Sequence, residues 1–459
     1  MPIHKPRNAK ERQRRKEAYA QVLYSSNKKI KQKSMLLKVY PWLVCGLAAV
    51  FYCYEVLLRM SPSVMEAELM RSFRIDAWMF GNLSAFYYYA YTPMQIPAGM
   101  MMDKYGPRRI LTLACACCAL GTLVFAMSDM IGVAMVGRFL IGFGSAFAFV
   151  GILKLATIWL PADKFSFVTG LATTLGMLGA AFGEILLAYW VEAAGWKISL
   201  NTAGALGLLL IPAIYFLIKD TPKKVQKRAL LRPEFSYSHL FKVLAEILRN
   251  PQIWIIGTIG CLLYLPVTAF AELWAPPYFK TRYNMNSEQA ALMVVPLFLG
   301  WALGGPITGM LSEKFKTRKI PLMISSITGF LIFSYLLYNP QLETNSVSVI
   351  LFILGACISS QILVFSLGCE NSPASSSGTA VAATNFLVML GATICQPLIG
   401  KVLDLAWDGE GIVNGLKVYT VQNYLSAFMV FPACFALSAI LCFFLKETHC
   451  KQVVKDRVI

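Results

Sequence analysis

Six ionisable residues stand inside long apolar runs: Glu55 and Arg59 in "YEVLLR", Arg138 in "GRFLIGFGSA", Lys154 in "GILKLATIW", Glu184 in "FGEILLAYW" and Glu272 in "FAELWAPP". A charge inside such a run of membrane length costs at least about 2.5 kcal/mol, so each must pair, face water or give up its charge. The chemistry open to these residue types is the binding of a charged solute and the exchange of a proton, with no covalent step. Glu55 and Arg59 are four residues apart, the spacing of an ion pair on one helix face. Pro276 and Pro277 follow Glu272 and are expected to break its helix, placing an acid beside a kink. Lys154 suits an anionic group, a neighbouring acid or the nearby interface. Glu184 has no charged neighbour in sequence, the setting of a proton-coupling site. Gln361 and Asn385 are the polar candidates in later runs, with interhelix packing as their alternative role. The tyrosines of "AFYYYAYTPMQIP" spread round a helix, so only some can face an interior site. No nucleophile–base set accompanies these residues. The phosphate-cradling pattern GxxxxGK[ST] does not occur. Three His leave little room for a His-based metal site, and most of the twelve Cys lie in apolar runs, as small core residues do. No enzyme activity, cofactor or metal is expected.

The elements that carry these residues are membrane helices. The chain has 459 residues, 57% hydrophobic and 14% charged, where a soluble domain is about a quarter charged. Twelve runs approach the roughly 20 residues that cross a bilayer. They lie near 39–60, 78–101, 108–127, 131–156, 165–190, 197–218, 252–277, 290–312, 320–338, 347–369, 378–401 and 420–445. The net charge of +18 would suit nucleic acid, but the basic residues cluster in short segments between the runs. That pattern is the positive-inside bias of a membrane protein and speaks against a nucleic-acid partner. With residue 1 in the cytoplasm, the cytoplasmic segments hold about 32 of the 42 Lys and Arg and the opposite loops about six. Both termini are then cytoplasmic. The expected organisation is a basic tail (1–38), a six-helix bundle (39–218), a linker (219–251), a second six-helix bundle (252–445) and a tail (446–459). The fold class is an all-α polytopic membrane protein of two pseudo-symmetric halves.

Two stretches repeat 210 positions apart: "GMMMDKYGPRR" from Gly99 and "GMLSEKFKTRK" from Gly309. Both fall in the short basic turn after the second span of a half, as an internal repeat of topology requires. Here the sequence resembles the major facilitator superfamily of secondary transporters. Gly99, Asp103, Lys104, Gly106, Arg108 and Arg109 match every position of that family's loop signature. In the second copy Gly309, Arg318 and Lys319 match, Glu313 replaces the aspartate and Lys316 the second glycine. The resemblance implies a cytoplasmic gate in which Asp103 meets the basic turn or the N-terminus of span eleven at Ser376–Gly378. It also resembles the family's span-four signature at Arg138, which implies a role in conformational or proton coupling. An interfacial arginine is the other reading of that residue. Span five keeps a glycine ladder but lacks the proline frequent in antiporters. The implied function is secondary active transport of a small anionic or zwitterionic solute by alternating access, as proton-coupled uptake. Alternatives are a proton-antiport exporter of drugs, metabolites or siderophores, and a non-transporting receptor or scaffold. The partners implied are a small-molecule substrate, protons and membrane lipids, for a monomer in a bacterial inner membrane.

Overall fold

The computed structural model describes residues 39–160, 165–220, 244–373, 376–409, 411–413 and 416–454. The basic N-terminal tail and most of the linker between the halves lie outside these residues. Twelve long helices follow one another: α1 (Val39–Val64), α2 (Ala77–Tyr105), α3 (Pro107–Met127), α4 (Ile131–Trp159), α5 (Phe165–Ala194) and α6 (Trp196–Leu217), then α7 (Pro251–Tyr283), α8 (Ser287–Phe315), α9 (Lys319–Tyr338), α10 (Thr344–Glu370), α11 (Ser377–Ala406) and α12 (Val421–Phe444). Eleven of them are long and apolar enough to cross a membrane. The exception is α2, which has the length at 29 residues. Its tyrosines, Asn82, Gln95, Pro93 and Pro97 lower its hydropathy because much of the helix faces protein rather than lipid. A short helix, Glu66–Phe73, joins α1 to α2, and a two-residue hairpin pairs Ile412–Val413 with Leu416–Lys417 between α11 and α12.

The 210-residue repeat extends well beyond the quoted loops. Arg74 and Asn284 both turn the chain in the left-handed region, at φ 53° and 51°. Two residues later Asp76 and Asn286 cap α2 and α8, their side chains accepting from Met79 N and Gln289 N. Capping of this kind satisfies backbone donors that a helix start leaves open. The packing repeats as well: α3 lies against α4 and α6, and α9 against α10 and α12. Between the halves, α2 packs on α11 and α5 on α8. Small residues set the closest approaches. A Cβ on Gly142 of α4 would stand 1.9 Å from Tyr87 O of α2, and one on Gly355 of α10 would stand 2.0 Å from Leu297 O of α8.

Two helices of the repeat are irregular at matching places. In α4 the helix loosens at Ala146–Phe147, and in α10 it tightens to a 3₁₀ turn at Ser359–Ile362. In α7 the segment Pro266–Trp274 winds as a π-helix before the α-helical Ala275–Tyr283. Pro276 and Pro277 therefore do not break the span, contrary to expectation. They occupy the first turn of the final α-helical segment, where a missing N–H costs least.

A candidate transport site

The buried charges gather where α1, α2, α4, α5 and α7 meet. The site begins with Pro62 in α1. A proline has no N–H, so the carbonyl of Leu58, four residues earlier, loses its helical donor. Two side chains replace it: Ser61 Oγ donates to Leu58 O at 2.8 Å and Arg138 Nη1 at 2.9 Å. Arg138 Nη2 donates further to Arg59 O at 3.2 Å and Ser84 O at 3.4 Å, and its guanidinium lies 5.3 Å from the Tyr87 ring centroid. Arg138 is fully buried, not interfacial. It ties α4 to the backbones of α1 and α2.

Arg59 does not pair with Glu55. Its Nη2 lies 3.3 Å from Glu272 Oε1, joining α1 to α7 across the two halves. Glu272 Oε2 accepts from Tyr88 Oη at 2.5 Å, and Glu55 Oε2 accepts from Tyr87 Oη at 3.0 Å. The rotation between adjacent helical positions sends Tyr87 and Tyr88 to different acids, while Tyr89 is exposed on the outer face. Glu55, Arg59 and Glu272 are all buried. The π-helical turn that presents Glu272 is held by Gln396 of α11, whose Nε2 donates to Thr268 O at 2.7 Å, and Trp274 Nε1 donates back to Gln396 O at 3.1 Å. Glu184 of α5 sits beside this cluster, accepting from Ser63 Oγ of α1 at 2.7 Å. Among the described residues, Glu184 Oε2, Arg59 Nε and Gln396 Oε1 have no hydrogen-bond partner. Buried polar atoms of that kind are costly and mark places where a proton, water or ligand would find a partner.

Away from the basic loops, the halves are joined by further polar contacts. Asp404 at the end of α11 caps α2: its Oδ2 accepts from Trp78 N at 2.8 Å, and its Oδ1 accepts from Tyr419 Oη at 2.6 Å and Lys417 Nζ at 2.8 Å. Tyr419 Oη in turn accepts from Ala77 N at 3.1 Å. Tyr424 Oη donates to Glu66 at 3.4 Å. Past the middle of both helices, toward the basic loops, Asn385 Nδ2 of α11 donates to Gln95 Oε1 of α2 at 3.0 Å. Asp404 carries no sequence signal of this role; its value comes from standing at the N-terminus of a helix in the other half.

At the basic loops themselves, the following polar contacts lie within one half. Asp103 forms an ion pair with Lys154 of α4. Gly106 turns between α2 and α3 at φ +83°, and a Cβ there would stand 2.6 Å from Asp220 Oδ1, so both conformation and contact require glycine. That Asp220 oxygen accepts from Arg108 N at 2.8 Å, and Arg108 stacks on Tyr215 at 4.1 Å. The second copy repeats the arrangement with different residues. Glu447 accepts from Arg318 N at 2.9 Å, Lys319 N at 2.9 Å and Thr317 Oγ1 at 2.9 Å, capping α9 as Asp220 caps α3. The Arg318 guanidinium reaches Glu370 at 2.9 Å, and Thr448 Oγ1 donates to the other oxygen of Glu370 at 2.5 Å.

A family model described as the Major Facilitator Superfamily matches residues 43–395. The chain belongs to the Major Facilitator Superfamily. It is 25% identical over 289 residues to the "Probable sulfoacetate transporter SauU" of Cupriavidus necator, a match covering 60% of this chain and 66% of that one. It is 22% identical over 424 residues to the "Probable galactarate/D-glucarate transporter GarP" of Escherichia coli, covering 84% and 89%. Among solved structures, a bacterial homolog of the human lysosomal transporter Spinster, inward-facing and occupied, superposes with a TM-score of 0.71 at 13% identity over 89% of this chain and 97% of that one. A D-xylose–proton symporter gives 0.68 at 16% over 90% and 98%. By family and fold this is an integral membrane transporter.

Within the superfamily fold, all of the candidate residues but Gln361 and Asn385 fall into two groups. Glu55, Arg59, Arg138, Glu184 and Glu272 come together. Lys154, Asp103, Lys104, Gly106, Arg108 and Arg109 belong to the loop end, as do Gly309, Glu313, Arg318 and Lys319. Gln361 is buried in the 3₁₀ turn of α10, and Asn385 bridges to α2. The caps Asp220 and Glu447 were not legible, because each follows the last helix of its half, far from the loop it holds. Burial raises the Glu447 pKa, but the N–H groups of Lys319, Arg318 and His449 and the Thr317 hydroxyl outweigh it, and the net value lies below the ordinary 4.5. A depressed carboxyl contributes stability above its unfolded pKa and loses it as pH falls through the folded value. Wild type is therefore expected to melt above Glu447→Gln near neutral pH, with the gap closing below pH 4.5. Melting curves of both proteins across that range check it, and a gap that ignores pH would show that charge is not what the cap uses.

Proposed function

We propose that this protein is a secondary active transporter that takes up a small anionic or zwitterionic solute by alternating access, driven by protons. The observation that carries this reading is the buried Arg59–Glu272 pair across the two halves, with Glu55 and Glu184 beside it. Relatives named for sulfoacetate and for galactarate or D-glucarate support an anionic cargo. In the proposed cycle, a proton on Glu272 releases Arg59, and a substrate carboxylate or sulfonate takes the vacated place on the guanidinium, which can hold two oxygens of either anion at once. With the substrate's charge neutralised, the halves rock about the site. Deprotonation of Glu272 on the other side restores the Arg59 pair and expels the anion. With the basic loops placed in the cytoplasm of a bacterial inner membrane, the contacts through Asp404 and Tyr419 close the outer side, while Gln95–Asn385 joins the halves on the cytoplasmic side of the midplane. The Asp103 turn is the cytoplasmic joint that changes partners when that side closes. The working unit is a monomer.

The test is uptake into proteoliposomes under an imposed pH gradient, with labelled sulfoacetate, D-glucarate and a neutral sugar as the panel. Concentrative uptake of an anion, lost when the gradient is collapsed, is the expected result. Glu272→Gln is expected to leave exchange of internal for external substrate intact while abolishing accumulation driven by the gradient. Glu184→Gln should reduce accumulation less. If Glu272→Gln accumulates substrate with the wild-type pH profile, Glu272 is not the coupling acid. Accumulation that needs an opposed gradient would make the protein an antiporting exporter.

A further inference from the structure

The second loop copy departs from the first at Lys316, and the departure is strained. Lys316 ends α8 at φ +50°, in the left-handed region, where its repeat partner Gly106 has no side chain. A non-glycine residue there costs backbone energy and persists when surrounding structure or function holds it. What lies beside it is a groove of about 850 Å³ on the lipid-facing side of the second half, between α8, α9 and α10. Its walls include Leu311, Phe315, Ile320 and Ile324, and its mouth holds Lys316, Lys319 and His449. The four wall residues are exposed large hydrophobics, so the groove opens outward. Glu447 also borders the mouth, but its oxygens are taken by the α9 N-terminus and Thr317. Lys319 Nζ donates to Phe443 O at 3.0 Å and keeps further donors, while the exposed Lys316 side chain projects from the αL position. In the first half the matching residues are placed differently: Lys154 is tied to Asp103, Arg108 stacks on Tyr215, and Gly106 carries no charge.

We propose that this groove is a binding site for an anionic phospholipid, with the phosphate at Lys316, Lys319 and His449 and an acyl chain along Leu311, Phe315, Ile320 and Ile324. Apolar walls and a cationic rim at the level of the basic loops match the two ends of such a molecule. A basic pocket between membrane helices at that level is the setting in which anionic headgroups are held. The site is separate from the buried cluster and independent of the cargo.

Lys316→Gly is a clean variant, because it removes the cation and relieves the left-handed strain together. The experiment is photo-crosslinking of the full chain in nanodiscs with a diazirine-bearing phosphatidylglycerol, mapped by peptide mass spectrometry. Labelling of the Leu311 to Ile324 region is expected, competed by phosphatidylglycerol but not by phosphatidylcholine or glycerol phosphate. It should fall about fivefold in Lys316→Gly, the worth of one lysine near an anionic surface, and be retained in Lys316→Arg. Equal labelling by a phosphatidylcholine probe, competition by glycerol phosphate alone, or no change in Lys316→Gly would each overturn the proposal.

Discussion

Arg59→Ala is expected to destabilise the protein by about 3–5 kcal/mol, the cost of leaving one member of a buried ion pair without the other. The guanidinium lies 3.3 Å from Glu272 Oε1, both residues are buried, and the pair spans the two halves. Truncation would leave Glu272 with Tyr88 as its hydrogen-bond partner. The double variant Arg59→Met, Glu272→Leu should recover most of that loss, since replacing a buried pair by apolar side chains of similar volume is commonly neutral or better. Transport should be abolished in both. Stability and function would thus separate: the pair adds little net stability, and its presence is explained by the proposed exchange of partners during transport. Melting in detergent and uptake in proteoliposomes measure the two quantities. An Arg59→Ala protein as stable as wild type, or a double variant no better than the single, would remove the pair from the centre of the mechanism.

Gly400→Leu is expected to hold open the end of the molecule away from the basic loops. A Cβ at Gly400 would stand 2.2 Å from Ala77 O of α2, and a Cβ at Gly81 of α2 would stand 2.5 Å from Gln396 O of α11. Both obstacles are backbone, so no side-chain rotation relieves them. Overpacking costs about 1–3 kcal/mol, which is about 5- to 150-fold in the population of the closed form. The caps from Asp404 and Tyr419 to α2 depend on the same closeness and would be lost with it. Spin labels at Arg71 and Lys417 in a cysteine-depleted background should move apart, and transport should fall in proportion to the lost population. Gly99→Leu is the control: nothing lies within 4 Å of its Cβ position, so it should leave this distance unchanged. An unchanged distance in Gly400→Leu would mean that α2 and α11 part elsewhere.

Much of this molecule is decided locally and was therefore readable from the chain. A bilayer needs long apolar helices and penalises each buried charge, so run lengths, basic loops and the six interior ionisable residues stand out without any tertiary knowledge. The loop signature and its copy 210 positions on marked the two-fold repeat, and the family followed from them. α2 was still recognisable as a span by its length and place in the repeat, although its tyrosines and amides make it the least apolar.

Only the tertiary structure decided the partners. Arg59 has Glu55 one helical turn away, yet it pairs with Glu272, 213 positions distant, because the packing of α1 on α7 leaves Glu55 to Tyr87. Asp220, Glu447 and Asp404 look like ordinary ends of helices until the helix starts they cap are brought beside them. The prolines after Glu272 suggested a break, but they fall in the first turn of the α-helical segment that follows the π-helical one, which Gln396 braces from α11 through Thr268 O. Helix formation and membrane insertion depend on neighbours within a few turns. Ion pairing and capping depend on which faces meet, and that is set by close approaches such as Gly142 on Tyr87, which no single stretch of sequence contains.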